Sequence, residues 1–255
     1  MPPSSEVRLL YATSCYRNSV NVRARLYRVA CLRAWVGRVS LPELTETTSL
    51  DGVERSDALP GSRGEHFLQC ALETSDRATR FYSDQVLDHL NPAMAEFVGR
   101  MEMAFISTAD ADGECDSTLR AGAAGFLRVI DSRTVVYPEY RGNGVMASLG
   151  NIMENPHVGM LMVDFADDLI GLHVNGRARI APFEEFESLA SASGEDKKVE
   201  RWVVVTVQEA YVHCRKHIPR MVPVDRVRHW GTDDVKKKGG DFFGVKAGKT
   251  SNGND

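Results

Sequence analysis

The sequence predicts a mainly β domain, an antiparallel barrel with peripheral helices, on three observations. Runs rich in β-branched and aromatic residues recur between Met103 and His213. Several are separated by hairpin-like turns, as at Asp110-Ala111-Asp112-Gly113. Only one segment, after Thr134-Val135-Val136-Tyr137, has the spacing of a crossover helix, so a regular βαβ alternation is missing.

The first 63 residues read differently from the rest. From Val7 to Pro42 there are several arginines, among them Arg17, Arg23, Arg25, Arg28, Arg33 and Arg38, and no acidic residue. An Arg-rich targeting segment, a flexible basic arm and an upstream extension from a misassigned start codon all fit that asymmetry. Leu44 to Gly64, rich in Thr, Ser, Gly and Asp, reads as a linker. Residues 1–63 are therefore expected to be a poorly ordered basic extension and linker, 64–243 the folded domain, and 244–255 a flexible tail.

Within the domain, Asp76 is placed to cap a helix whose apolar stripe is Phe81, Val86, Leu87 and Leu90. Asn91-Pro92 starts a second helix carrying Met94, Phe97 and Val98 toward the core. Strands are expected from Met103 to Thr108, Cys115 to Leu119, Phe126 to Ile130, and Thr134 to Tyr137. The last of these should close at Pro138, which has no N–H to give a ladder. Arg141-Gly142-Asn143-Gly144 forms a loop, and Val145, Leu149, Ile152 and Met153 then share one helical face, ending near Asn155 before a proline. Val158 to Val163, Leu169 to Ile180 and Trp202 to His213 complete the strands. Asn175-Gly176 is expected as a bulge, Phe183 to Ala190 as a short acidic helix, and Ser191 to Lys198 as a loop.

Composition narrows the function. The chain has 255 residues, 43% of them hydrophobic, and a formal net charge of -4, which leaves no excess of Lys and Arg for general nucleic-acid binding. No apolar run reaches the length of a membrane span. The cysteine count, 5, is odd and includes no CxxC pair, which favours a reduced, cytoplasmic setting.

The clearest candidate site is the glycine loop at the start of the crossover helix. Backbone amides, the positive end of the helix and the Arg141 fork suit an anion there, although neither GxGxxG nor GxxxxGK[ST] is present. Ser148 lies about one turn on, where it can help hold an anion; no GxSxG occurs to make a nucleophile. His213, Cys214 and His217 invite a metal, but on a strand positions i and i+4 are roughly 13 Å apart, so no metal site is expected. His213 with Lys216 near a ligand fits better. Asp167-Asp168 reads as a solvated turn, and His89, His157 and His173 as isolated packed or surface histidines.

Read together, FISTADADGECDSTLRAG, VVYPEYRGNGVMASLGNIMENPHVGMLMV, IGLHVNGRARI and EAYVHCRKHIP resemble the flavin-nucleotide-binding proteins related to pyridoxamine 5'-phosphate oxidase. The resemblance spans roughly Glu65 to Phe243. It implies an FMN-binding split barrel, a homodimer with non-covalent FMN at the subunit interface. Ser117, Thr118 and Arg120 would line the flavin, Tyr137 and Pro138 would end the next flavin-facing strand, and Arg141, Gly142, Asn143, Ser148 and Asn151 would lie near the ribityl phosphate. His213 and Lys216 would approach from a C-terminal strand. Where the oxidases carry an Arg-Lys pair before the NP turn, this chain has Ala147-Ser148, so the phosphate would lean on Arg141 and backbone amides, and pyridoxamine phosphate oxidase activity itself is not implied. The function expected is an oxidoreductase passing hydride or electrons from a small-molecule donor through FMN to a small acceptor or oxygen. The alternative is a non-catalytic protein that holds flavin, deazaflavin or haem for storage or sensing.

Overall fold

A computed structural model of the chain describes residues 59–193, 199–224, 232 and 234–245. The basic segment before Pro42, most of the expected linker, Gly194 to Lys198 and most of the tail lie outside them. The chain divides into two compact units, Met1–Asp76 and Arg77–Asp255. In the first, helix α1 (Arg63–Ala71) starts inside the stretch expected as linker, because Ser62 and Glu65 form a capping box that satisfies two orphan amides.

Helix α2 (Ser75–Gln85) starts one residue before the expected Asp76 cap and stops short of Val86. Leu87 instead makes a two-residue antiparallel bridge with Ala210, exchanging both backbone hydrogen bonds, and Leu90 is buried beyond the helix end. Helix α3 (Pro92–Arg100) follows the sequence reading: the Asn91 side chain accepts from the Met94 amide, Val98 is buried, and Met94 and Phe97 pack against the core.

Among the described residues the strands are seven: β1 (Met103–Ala109), β2 (Cys115–Ala121), β3 (Arg128–Asp131), β4 (Thr134–Tyr140), β5 (His157–Asp164), β6 (Ile170–Pro182) and β7 (Val199–His213). They form one sheet in the order β2-β1-β5-β6-β7-β4-β3, with every pairing antiparallel. This is the mainly β split barrel that the sequence predicts. Asp110 closes the β1–β2 hairpin, its carboxylate accepting from the amides of Asp112 and Glu114.

Several strand ends differ from the sequence reading, β7 starting three residues early at Val199, and two of them have a physical reason. Phe126 and Leu127 are core residues ahead of β3, which starts only at Arg128. Pro138 does not end β4; it is buried inside the strand, opposite Trp202 of β7. β3 pairs with β4 only as far as Val136, so on that side Pro138 has no partner to which a missing N–H would matter.

Helix α4 (Ala147–Glu154) connects β4 to β5 and stops at Asn155 as expected. Its buried face is Ser148, Leu149 and Ile152, however, while Val145 and Met153 are 71% and 79% exposed. The helix starts only after Met146, which sits in the left-handed region, so Val145 precedes the first turn and the buried stripe rotates away from the one drawn from spacing. A 3-10 turn (Phe183–Phe186) runs into α5 (Glu187–Ser193), replacing the single short helix expected there and the first residues of the expected loop.

The longest ladder joins β6 to β7 and contains the bulge. Asn175 pairs with Glu209 and Gly176 with Val207, so Gln208 is the extra residue and sits on β7. A Cβ on Gly176 would stand 2.1 Å from the Thr206 carbonyl oxygen. Inward side chains from β1, β4, β5, β6 and β7, including Ile106, Tyr137, Met160, Val174 and Val205, make the main core; a smaller cluster around Val136, Trp202 and Val204 lies on the other face.

Gly176→Ala is expected to cost about 1–3 kcal/mol in urea unfolding, because rigid ladder backbone has to move. Gly150→Ala, whose Cβ meets nothing within 4 Å, is expected to be neutral or to gain up to about 1 kcal/mol of helix propensity.

Candidate functional site

Period-two alternation along β2 puts Asp116, Thr118 and Arg120 on the inner side and Cys115, Ser117 and Leu119 on the outer side. The inner residues stand opposite Thr108, Ile106 and Ala104 of β1, all buried, and α4 packs against both strands. The result is a small polar recess between β2, β4 and α4.

Arg120 is its centre. Nε donates to Oε1 of Glu139 at 2.8 Å and Nη1 donates to Oγ1 of Thr118 at 2.7 Å. A longer contact of 3.5 Å runs from Nη2 to Oγ of Ser148. The Ser148 hydroxyl donates to Oδ2 of Asp116 at 3.3 Å, and Nδ2 of Asn151 donates to Oγ1 of Thr108 at 3.1 Å. Tyr137, fully buried two residues before Glu139, points its hydroxyl where it finds no hydrogen-bond partner. Burial pushes that phenol well above its ordinary range, and the Glu139 charge adds to the effect. Burial also raises Glu139, a shift the Arg120 guanidinium only partly offsets and the Glu200 charge reinforces.

Of the residues singled out in the sequence, the fold brings Thr118, Arg120 and Ser148 into direct contact, sets Asn151 one turn along α4, and couples Tyr137 to the Arg120–Glu139 pair through its charge environment. Pro138 is buried on the opposite side of β4. Arg141, Gly142 and Asn143 lie in the exposed loop before α4, where the Asn143 side chain accepts from the Val145 amide. Ser117 is exposed on the outer side of β2, and Lys216 is exposed in a 3-10 turn after β7. Asp116, Glu139 and Thr108 complete the recess and were not read from the sequence; the polar alternation Asp116, Thr118, Arg120 is the signal that points to them.

The outer side of the sheet carries a second feature. The register aligns Leu119, Phe105, Leu161, His173 and Tyr211 in one row across five strands. Leu119 is 52% exposed and Phe105 38%. His173, expected to be isolated, stacks on Tyr211 with ring centroids 4.7 Å apart, and its Nε2 lies 3.0 Å from Nδ1 of His213. The two histidines meet because adjacent strands bring together residues that are distant in sequence. Asp164, at the end of β5, organises the acidic loop: burial would raise it, yet the amides of Asp167, Ala166 and Asp168 and the Arg100 guanidinium together hold it below the usual carboxylate range. Asp168, read as part of a solvated turn, is also paired with Arg100.

Fold and recess define the class: an antiparallel split barrel with a half-buried guanidinium beside the N-terminus of its one crossover helix. Residues 90–214 match the family model described as pyridoxamine 5'-phosphate oxidase. Among curated proteins none matches the chain. Solved structures similar to it include HupZ of Group A Streptococcus, at 20% identity over 48% of this chain and 93% of that one, with a TM-score of 0.40. A candidate pyridoxamine 5'-phosphate oxidase of Lactobacillus delbrueckii is 15% identical over 50% of this chain and 98% of its own, with a TM-score of 0.40. HutZ, the heme storage protein of Vibrio cholerae, is 16% identical over 48% of this chain and 94% of its own, with a TM-score of 0.33. Among the described residues no helix is long and apolar enough to cross a membrane.

Burial lowers the His173 pKa, and the adjacent His213 lowers it further. A depressed histidine contributes stability that is fully present above the unfolded value of about 6.5 and is lost as pH falls below it. Urea midpoints measured from pH 8 to pH 5 should therefore fall on the acid side, and His173→Phe should flatten that part of the profile.

Proposed function

We propose that this chain is an FMN-binding oxidoreductase of the pyridoxamine 5'-phosphate oxidase-like type, acting as a cytoplasmic homodimer with the cofactor at the subunit interface. One observation carries the reading: a family-matched barrel has, beside its crossover helix, a half-buried Arg120 that is paired with Glu139 and donates to the Thr118 and Ser148 hydroxyls, and with it a fully buried Tyr137 hydroxyl with no partner. A buried polar atom without a partner costs about 1–3 kcal/mol, which a ligand acceptor would recover. The donor set suits the phosphate end of a flavin nucleotide.

In this arrangement Arg120, Thr118, Ser148 and Asn151 hold the phosphate end from the barrel, and the Arg141-Gly142-Asn143 loop holds it from outside through its guanidinium and amides. Tyr137 donates to the bound group, and Pro138 stiffens the strand that presents it. Ser117, His213 and Lys216 face away from the recess, where a cofactor seated between two subunits would meet them. The exposed row through Leu119 and Phe105 supports that second subunit, since such a surface gains by being covered. FMN, when bound, supplies the hydride or electron transfer between a small donor and a small acceptor or oxygen. The chain's own part is to bind, orient and keep water away. The alternative, a non-catalytic holder of flavin, deazaflavin or haem, draws on the half-buried His173–His213 pair, which offers imidazole nitrogens on the same outer side. Turnover with reduced nicotinamide and a range of acceptors separates the two.

A visible absorption spectrum of the purified protein, followed by denaturation and chromatography of what is released, tests the reading. Stoichiometric FMN is expected. A colourless protein that also fails to bind added FMN overturns it. Arg141→Ala and Arg120→Ala should each release cofactor. Tyr137→Phe should stabilise the cofactor-free protein by about 1 kcal/mol, by removing the unpartnered hydroxyl, and weaken FMN binding. Removing residues 1–58, which spares the Ser62–Glu65 capping box, should leave cofactor and dimer intact by absorbance and size-exclusion chromatography.

A further inference from the structure

The recess has an unusual charge balance. One guanidinium, Arg120, faces two carboxylates: Glu139, which it touches directly, and Asp116, joined to it through Ser148. All three guanidinium nitrogens already have partners within the chain. Glu139 holds the position beside Nε where an incoming anion would make its charge-assisted bond. A phosphate entering this recess as it stands would meet two carboxylates for one cation.

The other groups facing Glu139 do not change that balance. Tyr137, on its own strand, is a neutral phenol; Glu200, from β7, adds negative charge; Arg201, its register partner on β7, is exposed; Ser148, from α4, is uncharged. Burial itself favours the uncharged carboxyl. We propose that Glu139 is an internal counter-ion that gates the site: an anionic group binds at Arg120 only as Glu139 takes up a proton from solvent and releases the guanidinium. This rests on the reading above, that a phosphate-bearing group enters beside Arg120. The proton balance is simple. Free protein holds an Arg120–Glu139 ion pair; loaded protein holds an Arg120–phosphate pair and a neutral Glu139 carboxyl, one proton having come from water.

FMN binding, followed by quenching of flavin fluorescence from pH 6.5 to pH 8.5, tests this, because the phosphate group is largely doubly ionised across that window, its second pKa being about 6. Affinity in the wild-type chain should weaken as pH rises, by up to about tenfold per unit where uptake is complete. Glu139→Gln should bind FMN more tightly at pH 8.5 and remove most of the slope. Calorimetry of the unaltered chain at pH 7.5, in two buffers of different ionisation enthalpy, gives the same answer without a variant: up to one proton taken up per FMN bound. Wild-type binding that is flat with pH, with no proton uptake, overturns the gate while leaving the site reading in place. Failure of the wild-type chain and of a folded Glu139→Gln to bind FMN at any pH overturns both.

Discussion

The ladder between β6 and β7 is the constraint on which the rest of the domain depends. These are the two longest strands, and they join the β2-β1-β5 side of the sheet to the β4-β3 side. Alternation along β7 sends Val203, Val205 and Val207 inward; the extra residue Gln208 then shifts the phase, so that Ala210 goes inward and Glu209, Tyr211 and His213 go outward. Without that shift the aromatic and imidazole side chains would be directed into the core. Gly176 permits it, since no side chain fits against the Thr206 carbonyl.

Two surfaces of different character follow from this phase. The inner side is apolar over most of its extent and turns polar only where β2 and β4 converge under α4, which is where Arg120 is found. The outer side is a cross-strand row from Leu119 to Tyr211 that neighbouring strands do not cover. A charge is tolerable on the inner side because it is shared: Arg120 has a carboxylate, a hydroxyl and a second hydroxyl at longer range around a planar fork that gives directional bonds to each. Net stabilisation from such a pair is small, because desolvating both charges offsets most of their attraction.

Local chemistry explains what was legible in the sequence. The Asn91-Pro92 start of α3, the Asp110 hairpin and the stop of α4 at Asn155 each depend on a few adjacent residues and could be read directly, and the register break at Asn175-Gly176 was read too, though not its extra residue on β7. Features set by partners distant in sequence could not. Pro138 looks like a strand terminator until β3 is seen to stop at Val136, and His173 looks solitary until β7 lays Tyr211 and His213 against it. The site was half legible for the same reason. Thr118 and Arg120 entered only through the family resemblance and Ser148 also through its place on the crossover helix, while Glu139 was passed over because β4 was expected to close at Pro138. The buried face of α4 was misread by a rotation, because the left-handed Met146 delays the helix and spacing alone carries no phase.

The departure at Ala147-Ser148 takes on meaning from Glu139. A basic pair at the start of the crossover helix would add fixed positive charge next to Arg120 and make the recess a permanent anion site. This chain has instead one guanidinium, already balanced by its own carboxylate, and a serine whose hydroxyl is turned toward Asp116. On the gating proposal, an anion drawn to the exposed Arg141 loop goes deeper only by rearranging the Arg120–Glu139 pair, which the fold forms without a ligand. Protonating one partner requires less than leaving a desolvated ion uncompensated, because a neutral carboxyl suits the buried strand far better than an unpaired carboxylate. On the gating proposal, the empty and occupied forms of the recess differ in where one proton resides.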